Sequence, residues 1–143
     1  MSQSPLLLDR YFFVKISLEA NAKGDPKAAY NIEAKTDVSR DESQQRRYLV
    51  SLTVRLTPLG EAQPSYLGEV VVIGYFQVQR DYPEERCDQL VAMNGSSMLY
   101  GAVREMVSNL SARGPWPMVM LAPMNFTELN RPEKTGIEVT GQP

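Results

Sequence analysis

The sequence predicts an α+β fold: a four-stranded antiparallel sheet followed by a long C-terminal helix. Apolar and polar residues alternate with period two in successive runs between residues 8 and 57, the pattern of half-buried strands. The connections between those runs are short and rich in polar residues, Gly and Pro, which suits antiparallel neighbours rather than helical crossovers. From Met98 to Leu110 the period changes to that of a helix, with apolar residues at Leu99, Val103, Met106 and Leu110 among others.

The first strand is expected over Leu8–Leu18, with the even positions Leu8, Arg10, Phe12, Val14, Ile16 and Leu18, all but Arg10 apolar, forming one face. The second runs from Ala29 to Val38, where Tyr30, Ile32, Ala34 and Val38 oppose Asn31, Glu33, Lys35 and Asp37. The third, Arg47–Thr57, is the most regular, because Tyr48, Val50, Leu52, Val54 and Leu56 are all apolar. The fourth, Tyr66–Arg80, has no polar face across Val70–Ile73, which predicts cover on both sides there, and its Gly68 and Gly74 predict a bulge or bend. Asp81 or Tyr82 then caps a short helix with Pro83 in its first turn, running to Gln89 or Met93.

The helix over Met98–Leu110 is predicted to end at Gly114, a residue able to adopt positive φ, and Pro115 and Pro117 prevent continuation. At about 100° per residue its apolar side chains cover an arc of roughly 200°, about twice what a surface helix needs. One flank can satisfy the chain's own sheet while another meets a second chain. Leu99, Val103, Met106 and Leu110 are therefore the expected oligomer-interface residues, shared with the core. The whole chain, residues 1–143, reads as one domain, with flexible tails at 1–7 and 131–143. Within the second tail, Ile137-Glu138-Val139 is at most a short edge strand.

The 143 residues, 43% hydrophobic and 22% charged, are enough for one globular core. A net charge of −2 and a pI near 5.2 give no general attraction to nucleic acid or to an anionic membrane. The longest early apolar run, Leu6-Leu7-Leu8, is far too short for membrane insertion or a signal-peptide core, so a cytoplasmic location is expected. There is no histidine, which excludes His-dependent nucleophilic catalysis and His-ligated zinc. The one cysteine, Cys87, has no partner for a disulfide or a metal cluster, and no phosphate-binding glycine loop occurs. The expectation is a protein that is not an enzyme, with no catalytic residue, no metal and no cofactor.

Two motifs carry a resemblance. Ala112-Arg113-Gly114-Pro115-Trp116-Pro117, followed by Leu121-Ala122-Pro123-Met124-Asn125-Phe126, resembles the Arg-Gly-x-aromatic-Pro and Leu-Ala-Pro-x-Asn-Phe signature of the bacterial SecB protein-export chaperones. Tyr66-Leu67-Gly68-Glu69-Val70, Gly74-Tyr75-Phe76 and Lys15-Ile16-Ser17-Leu18-Glu19 fall where that family has similar residues. The resemblance implies a SecB-like fold and an ATP-independent chaperone that holds unfolded precursor polypeptides and delivers them to SecA. It also implies a homotetramer, a dimer of dimers, with helices between sheets.

Glu19, Leu67 and Glu69 match the family's SecA-docking face, whereas Lys15 stands where an acid is usual. The family's second helix is expected to be lost, because Leu129-Asn130-Arg131-Pro132 breaks it within about one turn. Trp116, Met118, Met120, Met124 and Phe126 lie on a connection that proline keeps out of regular pairing. They border an exposed client-binding groove of adaptable side chains or they plug the core beneath the helix, and the sequence leaves both open. The alternative functions are a SecB-like chaperone dedicated to one partner, such as the antitoxin of a toxin–antitoxin system, and a structural adaptor that binds no client.

Overall fold

The computed structural model describes residues 3–127 and 136–141. Strands β1 (Leu6–Ala20), β2 (Tyr30–Arg40), β3 (Arg47–Pro58) and β4 (Tyr66–Val78) form the expected antiparallel sheet. A fifth strand, β5 (Gly136–Gly141), adds antiparallel to β2, so the order across the sheet is β1-β4-β3-β2-β5. β2, β3 and β4 therefore lie side by side in chain order, while β1 crosses to one edge beside β4 and β5 to the other beside β2.

Even-numbered residues of β2, β3 and β4 share the inner face. Ile32 and Ala34, then Val50, Leu52 and Val54, then Val70, Val72 and Phe76 are fully buried there beneath Leu99, Val103 and Val107 of the helix. Among the described residues, only that face carries a helix. Val71 and Ile73 on the outer face stay half-exposed, so the cover on both sides expected for Val70–Ile73 is absent: their lack of a polar alternate does not bring a second layer.

β1 departs from its simple alternation. Its pairing with β4 slips between Leu8 and Arg10 and again between Phe13 and Lys15, leaving Asp9 and Val14 as extra residues. Between the two bulges the phase inverts, so Tyr11 and Phe13 oppose the inner-face positions Gly74 and Val72, and Phe12 opposes Ile73 on the outer face. The ring contacts agree: Tyr11 meets Phe13 at 6.2 Å, and Phe12 meets Tyr75 at 6.1 Å. The irregularities expected at Gly68 and Gly74 thus lie on the neighbouring strand. Gly68 serves close approach instead, since a Cβ there would sit 2.0 Å from the Ser17 carbonyl oxygen.

The two expected helices are one rod. A 3₁₀ turn at Glu84–Arg86 leads into α1 (Cys87–Leu90), a π-helical turn at Val91–Gly95 and α2 (Ser96–Ser111). Pro83 is the N-cap rather than a first-turn residue, with Glu84 and Glu85 following in the first turn. The expected gap between the two helices is closed by the π turn, which buries Val91, Ala92 and Gly95. Ser96 then donates a buried hydrogen bond to the Thr36 hydroxyl at 3.0 Å.

The end of α2 is set by sterics. Its last turn tightens through the Arg113 and Gly114 amides, which donate to Leu110 and Ser111 carbonyls at 3.1 Å each. Gly60 is the described glycine with positive φ, so Gly114 does not adopt the expected left-handed cap. A Cβ on Gly114 would lie 2.0 Å from the Tyr66 hydroxyl, which is why glycine is needed.

β1 begins at Leu6, whose side chain is in the core, so residues 6 and 7 belong to the sheet rather than to the expected 1–7 tail. Ile137-Glu138-Val139 lies within edge strand β5. Residues 1–2, 128–135 and 142–143 lie outside the described residues, and with them the expected break at Leu129–Pro132.

Candidate functional site

Helical geometry brings Tyr100, Arg104 and Ser108, spaced by four, onto one flank of α2. All three donate to backbone carbonyls of the extended segment beside them: Tyr100 to Ala122 at 2.6 Å, Arg104 to Leu121 at 3.0 Å and Ser108 to Val119 at 3.2 Å. The Val119 amide in turn donates to the Ser111 hydroxyl at 2.8 Å. The segment is thus held by its backbone, without a strand partner, and its side chains alternate. Val119 and Leu121 turn into the core, while Met118 and Met120 turn out, 50% and 68% exposed.

The neighbouring residues anchor this segment. The Trp116 indole N–H donates to the Asn21 carbonyl at 3.0 Å, and its amide donates to the Tyr66 hydroxyl at 3.2 Å. The ring itself is half-buried, as is Met124. Phe126 differs from the groove expectation. It is 3% exposed and packs edge-on against Tyr100 at 5.7 Å, so it is a core residue. Of the five expected groove residues, Met118 and Met120 form the open surface, Trp116 and Met124 flank it, and Phe126 lies beneath.

The helix residues separate similarly. Leu99 and Val103 are fully buried within this chain, while Met106 and Leu110 are half-buried on one flank. Apart from Met118 and Met120, the exposed large apolar side chains among the described residues are Met98 on the rod, Leu7, Tyr11, Val14 and Ile16 on β1 and Tyr75 on β4. Tyr11 and Ile16 stand at inner-face register positions yet remain 46% exposed.

On the outer face, Glu19 and Leu67 are directly opposed across β1 and β4, and Glu69 follows two residues along the same face. The three expected docking residues are therefore brought together. Glu69 is not a free acid, however. It is bridged by the Lys15 ammonium from β1 and by the Arg55 guanidinium from β3 at 2.7 Å. Those hydrogen bonds, Lys15 first, hold its carboxyl below the ordinary range.

The polar flank Tyr100, Arg104 and Ser108 was not anticipated as part of the site. Its signal is present in the sequence as polar atoms every fourth residue inside an apolar arc wide enough to suggest a second chain. Cys87 is buried, and burial raises its thiol pKa. Its sulfur lies 3.5 Å from an Arg46 guanidinium nitrogen that also donates to the Gln79 and Tyr82 carbonyls. Among the described residues no group of His, Cys, Asp and Glu is placed to hold a metal, and no helix is long and apolar enough to cross a membrane.

A family model described as preprotein translocase subunit SecB matches residues 2–135. The chain is 27% identical to the protein-export protein SecB of Psychrobacter arcticus, over 98% of this chain and 95% of that protein. It is 32% identical to the protein-export protein SecB of Methylococcus capsulatus, over 75% of this chain and 66% of that protein. Among solved structures it resembles a Mycobacterium tuberculosis SecB-like chaperone in complex with a peptide from an antitoxin. The TM-score there is 0.64 at 17% identity, over 82% of this chain and 89% of that one, a likeness of fold.

Proposed function

The chain belongs to the SecB family, and we propose that it is an ATP-independent chaperone that holds unfolded polypeptides and delivers them for export. The observation that carries this reading is the outward pair Met118 and Met120 on a segment whose backbone is already bonded to α2. Thioether side chains adapt to dissimilar partners, and a fixed backbone spares a client the entropy of ordering the surface it meets. Trp116 and Met124 supply the flanks. Holding a client unfolded withdraws it from folding by mass action and needs no chemistry, in keeping with a protein that is not an enzyme. Aggregation of a diluted, denatured test protein should be suppressed by near-stoichiometric amounts of the chain without nucleotide. Unchanged light scattering would remove the reading.

A specific observation favours a second reading, a chaperone dedicated to one partner. Glu69, the centre of the matched SecA-docking trio, is neutralised by Lys15 and Arg55. An acidic docking face loses both attraction and steering when its charge is compensated within the sheet. Binding to SecA is accordingly weak, and Lys15→Glu should strengthen it in calorimetric titration, most clearly at low salt. A substitution that left affinity unchanged or lowered it would show that SecA does not dock on this face. Recovery of polypeptides bound to the chain then separates many precursors from a single partner.

A further inference from the structure

The two long edges of the four-strand sheet are built differently. β1 is bulged at Asp9 and Val14, a feature that keeps an edge from accepting another strand. β2 pairs with β3 from Tyr30 to Arg40 with no register shift. Its opposite edge is therefore straight and regular, a template of backbone donors and acceptors.

That template is filled by the chain itself. β5 pairs from Asp37↔Gly136 to Ile32↔Gly141, and its contacts are concentrated on β2. Ile137 and Val139 occupy register positions opposite Thr36 and Ala34, on the inner side of the sheet, and Glu138 lies opposite Lys35. Glycine bounds the strand at both ends. By contrast, β2, β3 and β4 are each paired on two sides, and β1 pairs with β4 along most of its length. β5 is thus the shortest strand of the sheet and an edge strand.

We propose that β5 is a displaceable occupant of the β2 edge: the chain's own C-terminal strand fills a slot that accepts an extended polypeptide of alternating apolar and polar residues. This rests on the polypeptide-holding function proposed above and adds a built-in competitor to it. A ladder of main-chain hydrogen bonds is indifferent to client sequence. A tethered strand competes at an effective concentration of about millimolar. Short or poorly matched segments are excluded, and a long client that binds elsewhere on the surface as well displaces β5.

The test compares capture of a carboxymethylated, permanently unfolded protein by the full chain, by a chain ending at Thr135, and by a Glu33→Cys, Thr140→Cys variant. Those two positions are directly opposed, within reach of a disulfide that locks β5 under oxidation and frees it under reduction. The truncated chain should capture about three- to tenfold more tightly, as expected when a competing state is removed. The oxidised lock should weaken capture and reduction should restore it, and a free Gly-Ile-Glu-Val-Thr-Gly peptide should compete with client on the truncated chain. Capture indifferent to both truncation and lock overturns the proposal while leaving the chaperone function standing. No capture by any form, oxidised or reduced, sinks both. Where circular dichroism shows the truncated chain unfolded, the lock alone decides.

Discussion

Met118, Val119, Met120 and Leu121 divide between surface and core by alternation alone, and their substitutions should divide in the same way. Met120→Ser changes a side chain that is 68% exposed, so stability should stay within about 0.5 kcal/mol. Losing one apolar anchor worth about 1.5 kcal/mol should weaken client capture about tenfold. Trp116→Ala should do both: weaken capture and, through its lost bond to Asn21 and its half-buried ring, lower stability by about 2 kcal/mol. Equal capture by the parent and Met120→Ser would place the client surface elsewhere. Two phenols give a pH dependence. Burial raises the Tyr100 pKa to about 12, and burial followed by the Asp88 carboxylate, which accepts the Tyr48 hydroxyl at 2.8 Å, raises that of Tyr48 further. The folded state therefore retains protons that the unfolded chain releases near pH 10. Their stabilisation is complete below about pH 10 and is lost as pH rises through the raised values. Urea midpoints should hold up to about pH 10 and fall between about pH 10 and pH 12, and Tyr100→Phe should shrink that fall.

The polar flank of α2 makes the extended segment after it part of the fold. Arg104→Ala removes the middle of three side-chain bonds and should cost about 1 kcal/mol. Amide exchange across 118–122 should accelerate while that of β3 does not; equal protection would mean the apolar contacts of Val119 and Leu121 suffice. What was legible in the sequence follows the same local logic. β2, β3 and β4 are regular, so their period survives into the structure. The inner face of β1 is not readable because each bulge adds a residue without a compositional mark. The gap expected between the two helices disappears because the π turn keeps the rod packed on Phe76 and Val50, which lie 3.4–3.5 Å from where a Gly95 Cβ would be. Gly114 is expected at the helix end for its positive φ, whereas the structure needs glycine there because of the Tyr66 hydroxyl. Proline spacing located the candidate surface, but Phe126 could not be assigned to the core until Tyr100 was placed against it.

For the molecule as a whole, the exposed apolar residues Tyr11, Ile16 and Met98 are where we predict that a second copy packs, in the dimer of dimers that the family resemblance implies. Ile16→Asp should lower the mass seen by light scattering while the far-ultraviolet spectrum remains native. Val103→Asp should instead unfold the chain, because it buries an unpaired charge in a fully enclosed position. A parent protein that is monomeric at micromolar concentration would remove the assembly. The two bulges of β1 also constrain how such chains can change length. Asp9 and Val14 are surplus to the pairing, so without them Leu8, Arg10, Tyr11, Phe12, Phe13, Lys15 and Ile16 alternate inward and outward without interruption. A one-residue deletion at either place leaves every other side chain on its present face, whereas a deletion anywhere between them turns part of the strand inside out. Alignments among relatives should therefore open their gaps in this strand at those two letters.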